Sequence, residues 1–253
     1  MKYYEYGKQN SDVVILLHGG GLSWWNYKDI AVQLEEKFHV IIPILDGHSE
    51  SDKAFTSIED NADEIMQFID ENCGGHVLFM GGLSLGAQIL VNILAKRNDI
   101  CDYTIIESCL AKPQKMIYKL IGPSVSMSYG LINKEWFARL QFKSLKIRED
   151  LFEDYYRDSS RISKQDMIQF LKANADFSVK ASLNQLKATT LIVVGEKEQK
   201  VMKQSAKLLN EIIHNSHLQI LKGYVHGELS LNHPDEYVKL FYDLISSNSK
   251  MEM

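Results

Sequence analysis

Ser84 stands at the centre of Gly82-Leu83-Ser84-Leu85-Gly86. The apolar run Val77-Leu78-Phe79-Met80 precedes it, and the helical pattern from Ala87 to Lys96 follows. In this setting the chain has to turn from strand to helix within Gly81 to Gly86, and small residues at Gly82 and Gly86 let it cross itself. The turn would hold Ser84 in a strained conformation, with its hydroxyl exposed at a helix N-terminus. Free N–H groups and the helix dipole favour negative charge there. These features suit nucleophilic attack on a carbonyl.

A serine hydroxyl needs a base. Of the eight histidines, His226 is the first candidate. It lies in Gly223-Tyr224-Val225-His226-Gly227, a loop just after the last apolar run. His233 competes, but it adjoins Pro234 at a helix start. The base in turn needs a carboxylate to orient it. Glu198, in Gly195-Glu196-Lys197-Glu198 after the run Thr190 to Val194, is the first choice. Glu196 is the second, and Glu107, which ends another run, is a remaining alternative. A tetrahedral intermediate also needs aimed N–H donors, and losing one costs roughly 3 kcal/mol. The run Val13 to Leu17 leads into His18-Gly19-Gly20-Gly21, so the candidate donors are the amides of Leu85 and of Gly20 or Gly21. His18 is read as a structural hydrogen-bonding group.

These residues need a scaffold. Apolar runs at Val13 to Leu17, Val40 to Ile44, Val77 to Met80, Tyr103 to Ile106, Thr190 to Val194 and Leu218 to Leu221 read as strands buried on both faces. Lys2 to Tyr6 adds a candidate edge strand. Between the runs lie amphipathic helices at Ser57 to Cys73, Leu85 to Lys96, Val201 to Ile213 and Pro234 to Ser246. Ser57 and Ser163 are expected to cap the helices they open. The alternation predicts an α/β fold: a mostly parallel, doubly wound sheet flanked by helices. Residues 111–187 carry helical patterns only, around Trp136-Phe137-Leu140 and from Ser163 through Leu171. They read as a helical cap inserted into a core of residues 1–110 and 188–253. An insertion at the carboxyl ends of parallel strands overhangs the ligand site. The tail from Ser246 to Met253 is expected to fray.

Composition narrows the partners. The chain has 253 residues and a net charge of -5, without the basic excess of a nucleic-acid binder. No apolar run nears the ~18 residues of a membrane span, so no membrane partner is expected. The three cysteines are few and far apart, which points to free thiols in a reducing cytoplasm. No metal or cofactor is called for, and a homodimer is left open.

Taken together, the sequence resembles the α/β-hydrolase superfamily, in its compact cytoplasmic branch with a helical cap. The resemblance rests on His18-Gly19-Gly20-Gly21 with Trp25, on Pro43-Ile44-Leu45-Asp46-Gly47-His48-Ser49, on the Ser84 turn, on Gly195 to Glu198 and on His226. It leaves the cap unmatched. It implies a mostly parallel family sheet, short of the first strand, and a Ser-acid-His triad acting on a small-molecule acyl substrate. Three departures stand out: Glu198 where Asp is usual, a shortened loop after Asp46, and Val225 where Gly is usual. A serine nucleophile sets the chain apart from relatives that use Asp, such as haloalkane dehalogenases and epoxide hydrolases. It leaves carboxylesterase, lipase, thioesterase and aminopeptidase chemistry open. A ligand receptor or a lyase on the same fold is the alternative. The aminopeptidase reading would use cap carboxylates among Glu135, Glu149, Asp150, Glu153 and Asp154, and a lipid groove would use Trp24, Trp25 and Trp136.

Overall fold

The computed structural model describes residues 1–247; the rest of the tail expected to fray lies outside the described residues. Among the described residues, seven strands form one sheet in the order β1-β3-β2-β4-β5-β6-β7. They are β1 (Tyr3–Tyr6), β2 (Val13–Leu17), β3 (His39–Pro43), β4 (Val77–Leu83), β5 (Cys101–Glu107), β6 (Thr189–Gly195) and β7 (Ser216–Leu221). Only β1 runs antiparallel, on the edge beside β3; the other neighbours pair in parallel.

The sheet reverses its direction of winding between β2 and β4. From β2 the chain steps outward to β3, then returns to the far side of β2 as β4. The carboxyl ends of β2 and β4 therefore border the crevice where open α/β sheets bind ligands.

The helices are α1 (Lys28–Leu34), α2 (Ile58–Asn72), α3 (Leu85–Lys96), α4 (Lys115–Ser128), α5 (Glu135–Leu145), α6 (Phe152–Ser159), α7 (Lys164–Asp176), α8 (Lys200–Ile212), α9 (Glu228–Asn232) and α10 (Pro234–Ser247). One face of the sheet is covered by α2, α3 and α8 through residues such as Ile65, Leu90 and Leu209. The other is covered by α1 and α10 through Ile30, Leu34, Tyr237 and Phe241. Each fully buried Leu, Ile or Phe contributes about 1.5–3 kcal/mol, so these two layers hold the sheet rigid beneath the site. Ser57 and Ser163 cap α2 and α7 as expected, each accepting the N–H three residues on, from Asp60 and Asp166.

Two expectations need correction. β4 does not stop at Met80. It is laddered to β2 and β5 on both sides as far as Gly82 and Leu83, so the reversal is compressed into Ser84 alone. And β7 is not buried on both faces: it is the open edge, and its Ile220 is exposed.

All of α4 to α7 lies between β5 and β6. This helical segment is fastened to the sheet by polar contacts. Asp158 of α6, almost wholly buried, accepts from Trp25 Nε1 at 3.0 Å and from Ser49 Oγ at 2.8 Å, and it pairs with Arg157 at 2.7 Å. Asp166 of α7 accepts from the Phe55 amide at 2.8 Å. Among the described residues, no helix is long and apolar enough to cross a membrane.

Candidate active site

Ser84 sits between β4 and α3 with φ 53° and ψ -110°, a left-handed conformation that side chains other than glycine avoid. Its neighbours explain how it is held there. The Ser84 N–H donates to the Glu107 carbonyl at 3.0 Å, which locks the turn to β5. A methyl at Gly86 would lie 2.1 Å from the Leu17 carbonyl, so α3 can begin this close to β2 only with glycine at that position.

Three of the residues expected from the sequence come together here. His226 Nε2 lies 3.0 Å from Ser84 Oγ, and His226 Nδ1 lies 2.7 Å from Glu198 Oε2. Glu198 is buried in the loop after β6. Its other oxygen accepts from the Gly195 amide and from Ser108 Oγ, both at 2.8 Å. Burial pushes the Glu198 carboxyl up, but the His226 hydrogen bond and charge, the Gly195 amide and the Ser108 hydroxyl outweigh it and hold the group below its usual range. An ionised carboxylate with both oxygens bonded has a fixed direction, and it fixes the imidazole in turn.

The side chains of the other candidates bond neither Ser84 nor His226. Glu196 accepts from the Gly223 amide at 2.8 Å, pinning the loop that carries His226 from outside. His233 stacks on Tyr224 and faces Glu228. Glu107 is buried under the site; its Oε1 accepts from the Ser230 amide at 3.3 Å. Burial drives its pKa up to about 7, the Ser230 contacts pull it down, and Glu198 pushes it up again.

Two histidines shape the glycine run after β2. His18 Nδ1 donates to the Gly19 carbonyl at 2.9 Å, and its Nε2 accepts from the Leu45 amide at 3.2 Å. His48 Nδ1 donates to the Asp46 carbonyl at 3.0 Å, and its Nε2 accepts from the Gly21 amide at 3.0 Å. Burial drives both imidazoles down, His18 to about 3 with help from His48, and His48 to about 4. Both are therefore neutral hydrogen-bonding groups at ordinary pH. His48 also removes one candidate: the Gly21 amide is engaged, which leaves Gly20. A methyl at Gly20 would lie 3.4 Å from Leu85 Cβ, which places Gly20 against the other candidate donor.

Beside Ser84 is a cavity of about 70 Å³, lined by Gly20, Leu22, Leu83, Ile147, His226 and Leu231 among others. A second, of about 100 Å³, continues under the cap past Gln141, Leu145, Tyr155 and Met167. Among the described residues, no acidic side chain lines either. The cap acids that an aminopeptidase reading would use are paired away from the cavities: Glu135 and Glu149 bond Arg139, and Asp154 bonds Arg157. Nor do tryptophans line it. Trp25 is buried against Asp158, Trp24 stacks on Tyr4, and Trp136 is exposed. A further surface depression, of about 860 Å³, is an open groove along α2 lined by Asp60, Asp63 and Glu64 and not by Ser84.

Three residues that hold this geometry carried no local signal. Ser108 follows β5 in a left-handed conformation (φ 51°) and joins Glu198 to the Gly227 amide. Asn26 bonds the Gly19 amide and Ser230. Asp158 ties α6 to Trp25 and Ser49. Most of their partners lie far along the chain, so spacing could not reveal them. His48 was visible within the Asp46-to-Ser49 loop, but its partner was not.

Comparison with known proteins agrees with this architecture. A lipase of Psychrobacter immobilis, Lipase 1, is 24% identical over 264 residues, spanning 98% of this chain and 82% of that protein. An esterase from Exiguobacterium antarcticum superposes with a TM-score of 0.81 at 18% identity, over 97% of this chain and 95% of that one. A bromoperoxidase from Bacillus anthracis does so with a TM-score of 0.82 at 17% identity, over 97% and 95%. Residues 8–230 match the model of the family described as "Serine aminopeptidase, S33". With that match spanning most of its length, the chain belongs to this family of α/β-hydrolases.

Proposed function

We propose that the protein is a serine hydrolase that cleaves an ester of a small acyl group by way of an acyl-enzyme. The observation that carries this reading is the line Ser84 Oγ, His226, Glu198, with separations of 3.0 Å and 2.7 Å. His226 takes the hydroxyl proton as Ser84 Oγ attacks the carbonyl carbon. Glu198 holds the imidazole with Nε2 toward the serine and stabilises the imidazolium. The carbonyl oxygen, now negative, rests on the amides of Leu85 and Gly20. The alkoxide leaves with the proton from His226. Water, deprotonated by the same imidazole, then releases the acid and restores Ser84. The reaction as written consumes only ester and water.

The apolar walls and the absence of carboxylates around the cavities favour an ester over a peptide. An aminopeptidase site needs an anion to hold the substrate's ammonium group. The names of the relatives, a lipase and an esterase, point the same way. A cavity of about 70 Å³ beside Ser84 fits a short acyl chain. Buried Cys101 and Cys109, whose thiols burial pushes far above their usual range, fit the reading of a cytoplasmic protein.

The test is reaction with a fluorophosphonate probe, followed by rates on p-nitrophenyl esters of increasing chain length. Labelling at Ser84, loss of labelling and turnover in Ser84→Ala, and fastest turnover of the shortest esters are expected. Activity that survives Ser84→Ala would overturn the mechanism. Labelling without turnover of any ester would favour a receptor.

A further inference from the structure

Among the described residues, twelve large apolar side chains are exposed, and nine of them lie between Met116 and Leu145. The helix α4 shows why. Its inner stripe, Ile121 and Val125, packs with Ala175 of α7. On the opposite side Met116, Leu120, Pro123 and Met127 recur at the i, i+4, i+7, i+11 spacing of one helical face. Met116 is 80% exposed, Leu120 60% and Met127 86%. A surface helix ordinarily turns polar residues outward, and a contiguous exposed apolar face marks a contact surface.

Charge narrows the choice of what covers it. From Ser108 to Lys134 the chain has no Asp or Glu, but it carries Lys112, Lys115, Lys119 and Lys134, all exposed. Their ammonium groups pair with no carboxylate among the described residues. This block is cationic in a chain whose net charge is -5. Two copies meeting through α4 would set lysine against lysine, which disfavours a symmetric dimer on this face. The face is also a helix ridge of Met and Leu side chains rather than a groove, and a peptide partner is usually held in a groove.

We propose that the outer face of α4 docks the protein, peripherally and reversibly, on an anionic lipid surface. Its apolar stripe would sit among the acyl-chain ends while the flanking lysines meet the headgroups. Trp136, 61% exposed at the start of α5, is of the type that settles at such an interface. The helix behind α4 is α7, whose Met167 lines the cavity next to Gly20. Docking would thus bring the lipid within one helix of the site. It requires no spanning segment and does not depend on the ester chemistry.

The experiment is co-sedimentation of the full chain with vesicles of phosphatidylcholine alone and of phosphatidylcholine mixed with phosphatidylglycerol. Partitioning onto the mixed vesicles only, released by high salt, is expected. The double variants Met116→Ser/Met127→Ser and Lys115→Glu/Lys119→Glu should each weaken it by roughly tenfold or more, with unchanged melting temperature. Absence of binding by the wild-type protein, or equal binding to neutral vesicles, would overturn the proposal. So would undiminished binding by both variants. A wild-type dimer that Met116→Ser/Met127→Ser converts to monomer would mean that a second copy covers the face instead.

Discussion

Glu198 gives both carboxylate oxygens to the site: one to His226, the other shared by Ser108 and the Gly195 amide. Glu196, two residues away, spends its charge on a backbone amide outside the site. The two can therefore be separated by measurement. Glu198→Gln should lower kcat on ester substrates by about 10³–10⁴-fold, because an amide cannot hold the imidazole in the working tautomer or stabilise its charge. Glu196→Gln should stay within a few-fold of wild type. If only Glu196→Gln loses activity, the carboxylate has been misassigned. At this scale the sequence was most legible where chemistry and a glycine coincide. Ser84 and His226 each stand out beside glycines that only a sharp turn requires. The choice between two glutamates was not legible, because a side chain one turn further along a loop can point either way.

At the scale of elements, caps and strands read well because their causes are local. Ser57 and Ser163 each satisfy an amide three residues on, and a Val/Ile run needs only its own residues to declare a buried strand. The unread elements have causes outside themselves. Helix α4 is apolar on two faces and contains Pro123, so no single stripe shows. Helix α6 is short and half charged, and packing defines it more than propensity. The polar join between α6 and the core makes its own prediction. Asp158→Ala leaves the buried Trp25 Nε1–H without its acceptor and Arg157 without its main partner. A loss of about 2–3 kcal/mol is expected, read as a lower melting temperature and as earlier proteolysis between β5 and β6. Asp158→Asn keeps an acceptor and should lose less. Equal stability in wild type and Asp158→Ala would show that the join is idle.

For the whole molecule, acidity matters through Glu107. The group is buried, its pKa is raised from 4.5 to about 7 by burial first, and it faces Tyr27 and Tyr237 from the neighbouring layer. A carboxyl with a raised folded-state pKa binds its proton more tightly in the native protein. Its stabilising contribution is full below pH 4.5 and is lost as pH rises through about 7. Glu107→Gln should remove that loss. Its melting temperature should fall less than that of wild type between pH 5 and 8, with a difference on the order of 3 kcal/mol at the upper end. Parallel melting curves across that range would show that Glu107 does not titrate there.

The backbone at Ser84, with φ 53°, has one more consequence. Serine at that conformation costs about 1–3 kcal/mol, and glycine would relieve it while adding about 0.5–1 kcal/mol of freedom to the unfolded chain. Ser84→Gly should therefore melt a few degrees above wild type, by about 2–4 °C for each net kcal/mol at this size. On the proposed mechanism the same variant would lack the nucleophile and turn over no ester. Stability and turnover would then pull this one residue in opposite directions.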